Sequence, residues 1–317
     1  MNTFKEELAT KASILYYEEN NNQNKIASKL GISRSYVSQL LSYARSHNIV
    51  TIIVNVNGFY SHLIKKEIEF SRYFPEVKKF CFMKSKSPEY TKKHIGKFAA
   101  SFLVKLIKKA IIIAIDPGTS VEKVISELKP SSFGNCQEKK VIPLSGGIDN
   151  INVRLHPNDF VRRLGQILNC EYYFLNLPIL IENYSLRNAL LKEKNAQEII
   201  NLWSDTDLAI LGMGNISKDS TLFSSCSNSM IKKIKDSKAV GEIGVNFFDK
   251  KGNYLPLLEK YRVSIPLEKL KKIDTKVVIA FGEQKALALI SILRADLIDV
   301  LISDSITAHA MEKYLNN

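Results

Sequence analysis

Residues 23–50 read QNKIASKLGISRSYVSQLLSYARSHNIV, and their apolar side chains recur at the spacing of two short helices around a tight corner. Ala27 is small where two helices cross closely, Gly31 gives the backbone the freedom that a turn needs, and Ser33 is a good N-cap for the helix that follows. The apolar positions are Ile26, Ala27, Leu30, Ile32, Val37, Leu40 and Leu41. We predict a helix-turn-helix; a plain helical hairpin of a core is the alternative.

In a helix-turn-helix the second helix enters the major groove of DNA, and its outward N-terminal residues reach base edges. Arg34 can form two hydrogen bonds to guanine and Gln39 two to adenine, while serine and tyrosine hydroxyls suit phosphates or either base type. The predicted DNA-binding residues are Gln23, Ser33, Arg34, Ser35, Tyr36, Ser38 and Gln39. Each of them alone is equally well explained as a solvated helix residue, so the prediction rests on the group.

The segments on either side complete this module. Phe4, Leu8, Ala12 and Leu15 have helical spacing and precede an Asn-rich break at 20–22. Residues 49–56, IVTIIVNV, are largely β-branched and predict a strand before a linker near residues 57–58. We therefore predict two domains, a helix-turn-helix domain over residues 1–56 and a larger domain over residues 57–317.

The composition excludes several classes of protein. The chain has 317 residues, 45% of them hydrophobic and 24% charged, which is ordinary for a globular protein and excludes wholesale disorder, collagen and coiled coil. Four well-separated cysteines, a polar N-terminal segment and the lack of any membrane-length apolar run predict a cytoplasmic protein with reduced thiols and no membrane partner.

The net charge of +13 favours an anionic partner such as nucleic acid. The excess is local, however: residues 61–110 hold 13 basic and 4 acidic residues, whereas residues 1–60 hold 6 and 4. Much of it falls on a helical pattern over residues 92–109, whose apolar side chains mark a buried stripe opposite the lysines. We expect these lysines to form a solvated face, with a DNA-backbone or partner surface as the alternative.

Beyond residue 57, short apolar runs of strand length alternate with helical stretches. Each run is hydrophobic throughout and is followed by Gly, Pro, Ser or Asp, which is typical of buried parallel strands with helices on both faces. The predicted strands are 111–115, 141–144, 172–175, 208–211, 277–280 and 300–303. They predict an α/β fold in which a doubly wound, mostly parallel sheet follows the all-α N-terminal domain.

In such sheets a ligand lies outside the carboxyl ends of the strands, so the loops after the strands are candidates for binding. Four loops stand out: 116–120 (DPGTS), 145–147 (SGG), 212–214 (GMG) and 281–285 (FGEQK). The first loop leads into a predicted helix, at whose start Thr119 and Glu122 have the spacing of a capping box. In the fourth loop, Lys285 offers a positive charge for a phosphate. Turn glycines and a solvated lysine explain any one loop alone; the four together predict an anion-binding rim.

No catalytic or metal-binding constellation is found. The histidines are scattered, and none has a Ser, Cys or carboxylate partner at a recognisable spacing. The fingerprints GxGxxG and GxxxxGK[ST] are absent, so NAD and ATP are poor candidates and we expect no cofactor. We predict that the protein is not an enzyme, although distant residues can assemble an active site.

The order of the motifs resembles that of the SorC-type (SorC/DeoR sugar-binding) transcriptional regulators over nearly the whole chain. The segments that carry the resemblance are the helix-turn-helix, DPGTS, VIPLSGG, DLAILGMG, AVGEIGVNFFDKKGN and AFGEQKALALISILRADLIDVLISDSITAHAM. It implies a homotetrameric or dimeric regulator of carbohydrate metabolism genes. Its larger domain, similar in fold to sugar-phosphate isomerases, would bind a phosphorylated sugar effector, and the protein would bind a pseudo-palindromic operator in double-stranded DNA.

The same resemblance implies the effector-binding residues. They are Gly118, Thr119, Ser120, Ser145, Gly146, Gly147, Gly212, Met213, Gly214, Asp249, Gln284 and Lys285.

Three departures from the family pattern bear on the ligand. The first loop lacks a sugar-stacking tryptophan, and Ser145 stands where some relatives have a lysine that can form a Schiff base, so we expect reversible, non-covalent binding. Asp304 is kept, but the acidic residue that commonly follows it is not. The alternatives are a sugar-phosphate isomerase or deaminase with an appended DNA-binding head, and an interaction protein whose pocket has decayed.

Overall fold

The computed structural model describes residues 2–51, 59–148, 153–217 and 220–315, and the chain divides into two compact units, residues 1–57 and 58–317. The smaller unit consists of helices α1 (Asn2–Ser13), α2 (Gln23–Leu30) and α3 (Arg34–Ser46), with a π-helical turn at Ile14–Glu18. Its core is formed by the buried side chains of Ala9, Ala12, Ile26, Val37, Leu40, Leu41 and Ala44. The predicted helix-turn-helix is therefore present.

Local chemistry defines the corner between α2 and α3. Gly31 ends α2 in the left-handed region at φ +66°, and Ser33 Oγ accepts the Tyr36 N–H at 3.1 Å to cap α3. Ile49 and Val50 do not begin a strand, because their N–H groups donate to the carbonyl of Ala44 and their side chains pack on the helical core. The rest of the strand predicted at 49–56, and the linker near 57–58, lie outside the described residues.

The larger unit contains a seven-stranded sheet. Its strands are β1 (Lys79–Met83), β2 (Ile112–Ile115), β3 (Lys140–Pro143), β4 (Glu171–Tyr172), β5 (Leu208–Leu211), β10 (Thr275–Ile279) and β11 (Val300–Asp304). All neighbouring pairs are parallel, in the order β1-β11-β10-β5-β2-β3-β4. A second, antiparallel sheet consists of β6 (Gly214–Asn215), β7 (Ala239–Ile243), β8 (Asn246–Asp249) and β9 (Tyr254–Leu255).

Helices cover both faces of the parallel sheet, as the prediction of a doubly wound α/β fold requires. The helices described in this unit are α4 (Phe59–Tyr73), α5 (Pro88–Lys109), α6 (Thr119–Glu127), α7 (Pro157–Leu168), α8 (Tyr184–Leu190), α9 (Lys194–Leu202), α10 (Asn228–Lys235), α11 (Leu267–Lys272), α12 (Ala286–Arg294) and α13 (Ser305–Glu312), of which α10 packs on the antiparallel sheet instead. Alternating sheet residues point into two apolar layers, one with α5, α6 and α7 and one with α4, α9, α12 and α13. The predicted fold class is confirmed.

Two close contacts hold helices of this unit in place. A Cβ on Gly96 of α5 would overlap the carbonyl oxygen of Lys123 on α6, so only glycine allows these helices to approach so closely. On the other face, the buried ammonium of Lys66 on α4 forms an ion pair with Glu312 near the end of α13. None of the helices in the described residues is long and apolar enough to cross a membrane.

The chain reverses its direction across the sheet between β2 and β5. From β2 it proceeds through β3 to β4 on one side, and from β5 through β10 to β11 on the other. The loops after β2 and β5 therefore diverge, and a crevice opens at the carboxyl ends of these two neighbouring strands.

Candidate functional site

A cavity of about 220 Å³ lies at this crevice and brings together three of the four predicted loops, those after β2, β5 and β10. We call it the rim cavity. It is lined by Asp116, Pro117, Gly118, Thr119, Ser120, Gly212, Met213, Gly214, Asn215, Ser217, Ser220, Thr221, Glu242, Gln284 and Lys285. Eight of the twelve predicted effector residues are in this set.

The first wall of the rim cavity is the start of helix α6. Gly118 is its N-cap and offers no side chain to the first N–H groups of the helix, which have no partners within the helix. The predicted capping box is not formed, because Glu122 accepts instead from Ser126 Oγ at 2.9 Å and pairs with Arg163 at 3.4 Å. Uncapped N–H groups and the positive end of the helix dipole favour an anion here.

The second wall is the loop after β5, which approaches the first at glycine positions. A Cβ on Gly212 would lie 3.3 Å from the carbonyl oxygen of Pro117 and 3.5 Å from Gly118 Cα. A Cβ on Gly214 would overlap the carboxylate of Glu242. A larger side chain at Gly212 would thus intrude on the space between the two loops, and one at Gly214 would displace the carboxylate of Glu242.

Lys285 supplies the cation of the rim cavity. Its Nζ donates to the carbonyl oxygen of Met213 at 3.1 Å, which holds the ammonium between the third and fourth loops. Burial lowers the pKa of Lys285, and the carboxylate of Glu242 partly offsets that effect. The loop that carries Lys285 begins at Gly282, which has φ +107° and whose N–H donates to Thr307 Oγ1 at 2.7 Å.

Two carboxyl groups, Asp116 and Glu242, face the same space and are absent from the predicted set. Burial raises the pKa of Asp116 well above its usual range, and the charge of Glu242 adds to this; burial also raises the pKa of Glu242. The β7–β8 turn donates a hydrogen bond to each carboxyl group. The N–H of Gly244 donates to Asp116, and the N–H of Val245 donates to Glu242 Oε2 at 3.1 Å. Val245 adopts φ +59°, which is unusual for a β-branched residue.

The rim cavity is lined both by hydrogen-bond donors with positive character and by carboxyl groups. Uncapped N–H groups and the Lys285 ammonium suit a phosphate, whereas Asp116, Glu242 and the amide of Asn215 suit the hydroxyl groups of a polyol. Asp116 follows a predicted strand in the sequence and could have been included on that ground. Glu242 could not, because it lies within the strand VGEI and reaches the cavity only through the antiparallel sheet.

The other four predicted effector residues lie outside the rim cavity. Ser145, Gly146 and Gly147 are held by backbone bonds, with Gly146 N–H donating to Val263 at 2.8 Å and Gly147 N–H to Leu177 at 2.7 Å. Ser145 Oγ is fully buried and has no hydrogen-bond partner among the described residues.

Asp249, the fourth of these residues, accepts from the N–H groups of Lys251 and Asn253 and thereby closes the β8–β9 hairpin.

The acidic corner at Asp304 is also accounted for by local bonds. Asp304 caps α13 by accepting the Thr307 N–H at 2.7 Å, and its second oxygen accepts from Thr91 Oγ1. The next residue, Ser305, accepts the N–H of Ser85 at 3.0 Å. In this chain the corner joins α13 to the start of α5.

The predicted DNA-binding residues lie on the outer side of α3 and at the start of α2. Arg34, Ser35, Ser38 and Gln39 are exposed, whereas Tyr36 and Gln23 are half-buried. Ser33 is used as the helix cap, and its Oγ lies 2.9 Å from that of Ser35.

Arg34 also lines a surface hollow with Gln23 and the Asn-rich turn. One face thus presents a guanidinium, amides and hydroxyls together, which is the chemistry that reads bases and phosphates.

His156, His309 and Cys81 have structural roles or buried positions, with no sign of a catalytic arrangement among the described residues. His156 Nδ1 accepts the Asn158 N–H to cap α7, and His309 lies 3.0 Å from Glu312. Burial raises the pKa of Cys81 to about 12, which makes its thiol a poor nucleophile at neutral pH. Within the described ranges, no three His, Cys, Asp or Glu side chains come together as a possible metal site.

Comparison with known proteins gives matches across both units. Residues 76–311 match the model of the sugar-binding domain family Sugar-bind, and residues 14–47 match that of sigma-70 region 4. The chain is 25% identical over 315 residues to the deoxyribonucleoside regulator of Bacillus subtilis, with 98% of this chain and 99% of that protein covered.

The sorbitol operon regulator of Klebsiella pneumoniae is 26% identical over 314 residues, covering 96% and 98% of the two chains. The crystal structure of that regulator at full length has a TM-score of 0.74 to this structure, at 24% identity over 96% of this chain and 98% of that one. A transcriptional regulator from Streptococcus pneumoniae has a TM-score of 0.76, at 25% identity over 82% of this chain and 100% of that one.

Proposed function

Because this chain belongs to the SorC-type family of sugar-binding transcriptional regulators, we propose that a phosphorylated sugar binds non-covalently in the rim cavity and changes the protein's affinity for its operator. The protein is a transcriptional regulator with a DNA-binding helix-turn-helix and a sugar-binding domain. The phosphate, the residues that hold it and the oligomeric state are the parts that we propose.

The observation that carries the proposal is that an uncapped helix N-terminus and a buried lysine ammonium share one small cavity. The phosphate lies against Thr119, Ser120 and Lys285, where dipole and charge both favour an anion. The hydroxyl groups of the sugar then face Asp116 and Glu242. Non-covalent binding is supported by Ser145, whose hydroxyl cannot form a Schiff base and which lies outside the cavity.

The DNA-binding side of the proposal follows from the geometry of the motif. Two recognition helices placed about 34 Å apart by a symmetric dimer or tetramer require a pseudo-palindromic operator. Arg34 and Gln39 are the proposed base-reading residues, and the serine hydroxyls position the helix on phosphates. The related proteins named for bacterial operons support a cytoplasmic location, where the DNA is.

Regulation requires that the effector distinguish two arrangements of the protein. A ligand shifts the DNA-competent population only by as much as its affinity differs between them. A repressor released by the sugar and an activator engaged by it therefore need the same residues in the rim cavity.

An enzymatic role is the second candidate, and one observation favours it. Asp116 and Glu242 are cavity carboxyl groups with raised pKa values, which is the environment of a general acid or base in a sugar-phosphate isomerase or deaminase. We propose that the protein is nevertheless not an enzyme, since its relatives are transcriptional regulators. Incubation with common sugar phosphates, followed by analysis of the products, tests this point, and sustained turnover would contradict it.

Thermal unfolding in the presence of paired ligands tests the effector. Each sugar phosphate is compared with its unphosphorylated sugar and with inorganic phosphate, and a specific effector raises the unfolding midpoint well above both controls. The same ligand must then change binding to the DNA upstream of the gene in fluorescence anisotropy. If the protein binds this DNA but no sugar phosphate, the alternative of an interaction protein with a decayed pocket is supported instead. A response to the unphosphorylated sugar alone would refute the phosphate site.

A further inference from the structure

We propose that the exposed face of helix α5 is a second, sequence-independent DNA contact that binds the phosphate backbone of the duplex. This inference rests on the DNA-binding function described above and adds a surface of the sugar-binding domain to it. The surface consists of Lys93, Lys97, Lys105 and Lys108, and we call it the lysine face.

The position of these side chains follows from the burial of α5. Residues such as Ile95, Ala99 and Leu103 are fully buried against the sheet and against α6, which fixes the rotation of the helix. At 100° per residue, the four lysines fall within about 120° on the opposite side. All four are exposed.

The lysine face lacks neutralising groups. Residues 90–109 contain six lysines and no Asp or Glu, and within the described ranges none of the four forms an ion pair. Other lysines of the same unit do have carboxylate partners, among them Lys66, Lys78, Lys139 and Lys276. A solvated face does not require that acidic residues be absent, whereas a site for a polyanion gains from their absence because a neighbouring carboxylate would repel the phosphates and compete for the ammonium groups.

The dimensions suit a duplex. From Lys93 to Lys108 the helix rises about 22 Å, at 1.5 Å per residue, which is about two-thirds of a turn of B-DNA. One strand carries a phosphate roughly every 3.4 Å along this length, so each ammonium can meet a different phosphate. Lys109 is not counted, because it borders a hollow that also contains Asp207 and Asp274.

The test is the salt dependence of DNA binding by the full-length protein. Lys93, Lys97, Lys105 and Lys108 are replaced together by Gln, and binding to a mixed-sequence 40-base-pair duplex is measured between about 50 and 200 mM NaCl. Each lost phosphate contact lowers the slope of log K against log [salt] by about 0.9, so we expect a decrease of about 2 to 4. The fourfold Lys→Arg variant keeps the charge and is expected to keep the slope.

The matched control replaces Lys232, Lys233, Lys235 and Lys238, which are exposed on and just after α10, by Gln and changes the net charge by the same amount. An equal slope for the wild-type protein and the lysine-face variant overturns the proposal, as does an equal decrease in the control. An acidic protein partner at this face would also leave the DNA slope unchanged. If the wild-type protein binds no DNA at all, the proposed regulatory function fails and this inference fails with it, whereas an unchanged slope in the lysine-face variant overturns this inference alone.

Discussion

Replacement of Lys285 by methionine tests the proposed phosphate site most directly. The methionine keeps an unbranched side chain of similar length, so the packing between the loops after β5 and β10 is largely preserved. What is removed is the ammonium that donates to the carbonyl oxygen of Met213 at 3.1 Å and faces Glu242. The effect on ligand binding is then due to charge and hydrogen bonding rather than to a cavity.

The expected magnitude follows from these contacts. A charge-assisted hydrogen bond contributes about 1.5–3 kcal/mol, and about 1.4 kcal/mol corresponds to a tenfold change in affinity, so Kd rises roughly 10- to 150-fold. Stability changes much less. Burial lowers the pKa of Lys285, which means that keeping the ammonium charged in the folded state costs free energy. The substitution removes this cost, which opposes the loss of the hydrogen bond to Met213. We expect the free energy of unfolding to stay within about 1 kcal/mol of the wild-type value.

Calorimetric titration with the sugar phosphate that raises the unfolding midpoint most provides the measurement. Lys269→Met is the matched control, because Lys269 also donates to a backbone carbonyl, that of Ile200 at 2.6 Å, and burial also lowers its pKa. Lys269 does not line the rim cavity. Unchanged affinity in Lys285→Met, or an equal loss in Lys269→Met, would refute the assignment of the phosphate site.

Three further changes test other parts of the structure. Ser33→Ala removes the cap that accepts the Tyr36 N–H, and we expect a loss of about 1 kcal/mol in helix stability with weaker DNA binding in anisotropy; unaltered binding would argue against this cap. Gly96→Ala places a Cβ against the Lys123 carbonyl and is expected to lower the free energy of urea unfolding by about 1–3 kcal/mol, so a neutral result would contradict the close packing of α5 on α6. Burial raises the pKa of Asp116, so its contribution to stability is present below about pH 4 and is lost as the pH rises; Asp116→Asn should therefore gain stability relative to the wild-type protein as the pH rises above about 4, and parallel pH profiles would refute this.

Much of the fold could be predicted from the sequence, because its elements have strong local signals. The strands β2 and β5 are continuous apolar runs, and five of the six predicted runs coincide closely with strands of the parallel sheet. The sixth, 172–175, overlaps β4 at Tyr172 only. The edge strand β1 was not predicted, although Lys79–Met83 is apolar after its first residue. The antiparallel sheet was not predicted either, since β6 and β9 have two residues each and show no periodicity.

The candidate site could be predicted in part, for a topological reason. Loops after parallel strands meet at one edge of the sheet, so Gly118, Gly212 and Lys285 are found together as expected. The sequence does not show which of these loops use their backbone groups in hydrogen bonds to other parts of the protein. The loop at Gly146 does so, because the Gly146 N–H donates to the carbonyl oxygen of Val263. Glu242 lies on β7 of the antiparallel sheet, and no local sequence pattern predicts that its side chain lines the rim cavity.

Helix α13 is eight residues long, about 12 Å, and carries a contact near each end. Near its start, Thr307 accepts the N–H of Gly282, the residue that opens the loop of Lys285; near its end, Glu312 pairs with Lys66 of α4. A displacement of that loop must either break the first contact or move α13, and a moving α13 must either break the second or carry α4. Helix α4 is the first described element after the DNA-binding unit. The route from the rim cavity to the beginning of this domain is therefore short and mechanical, and it runs along the face of the sheet that α4 and α13 share.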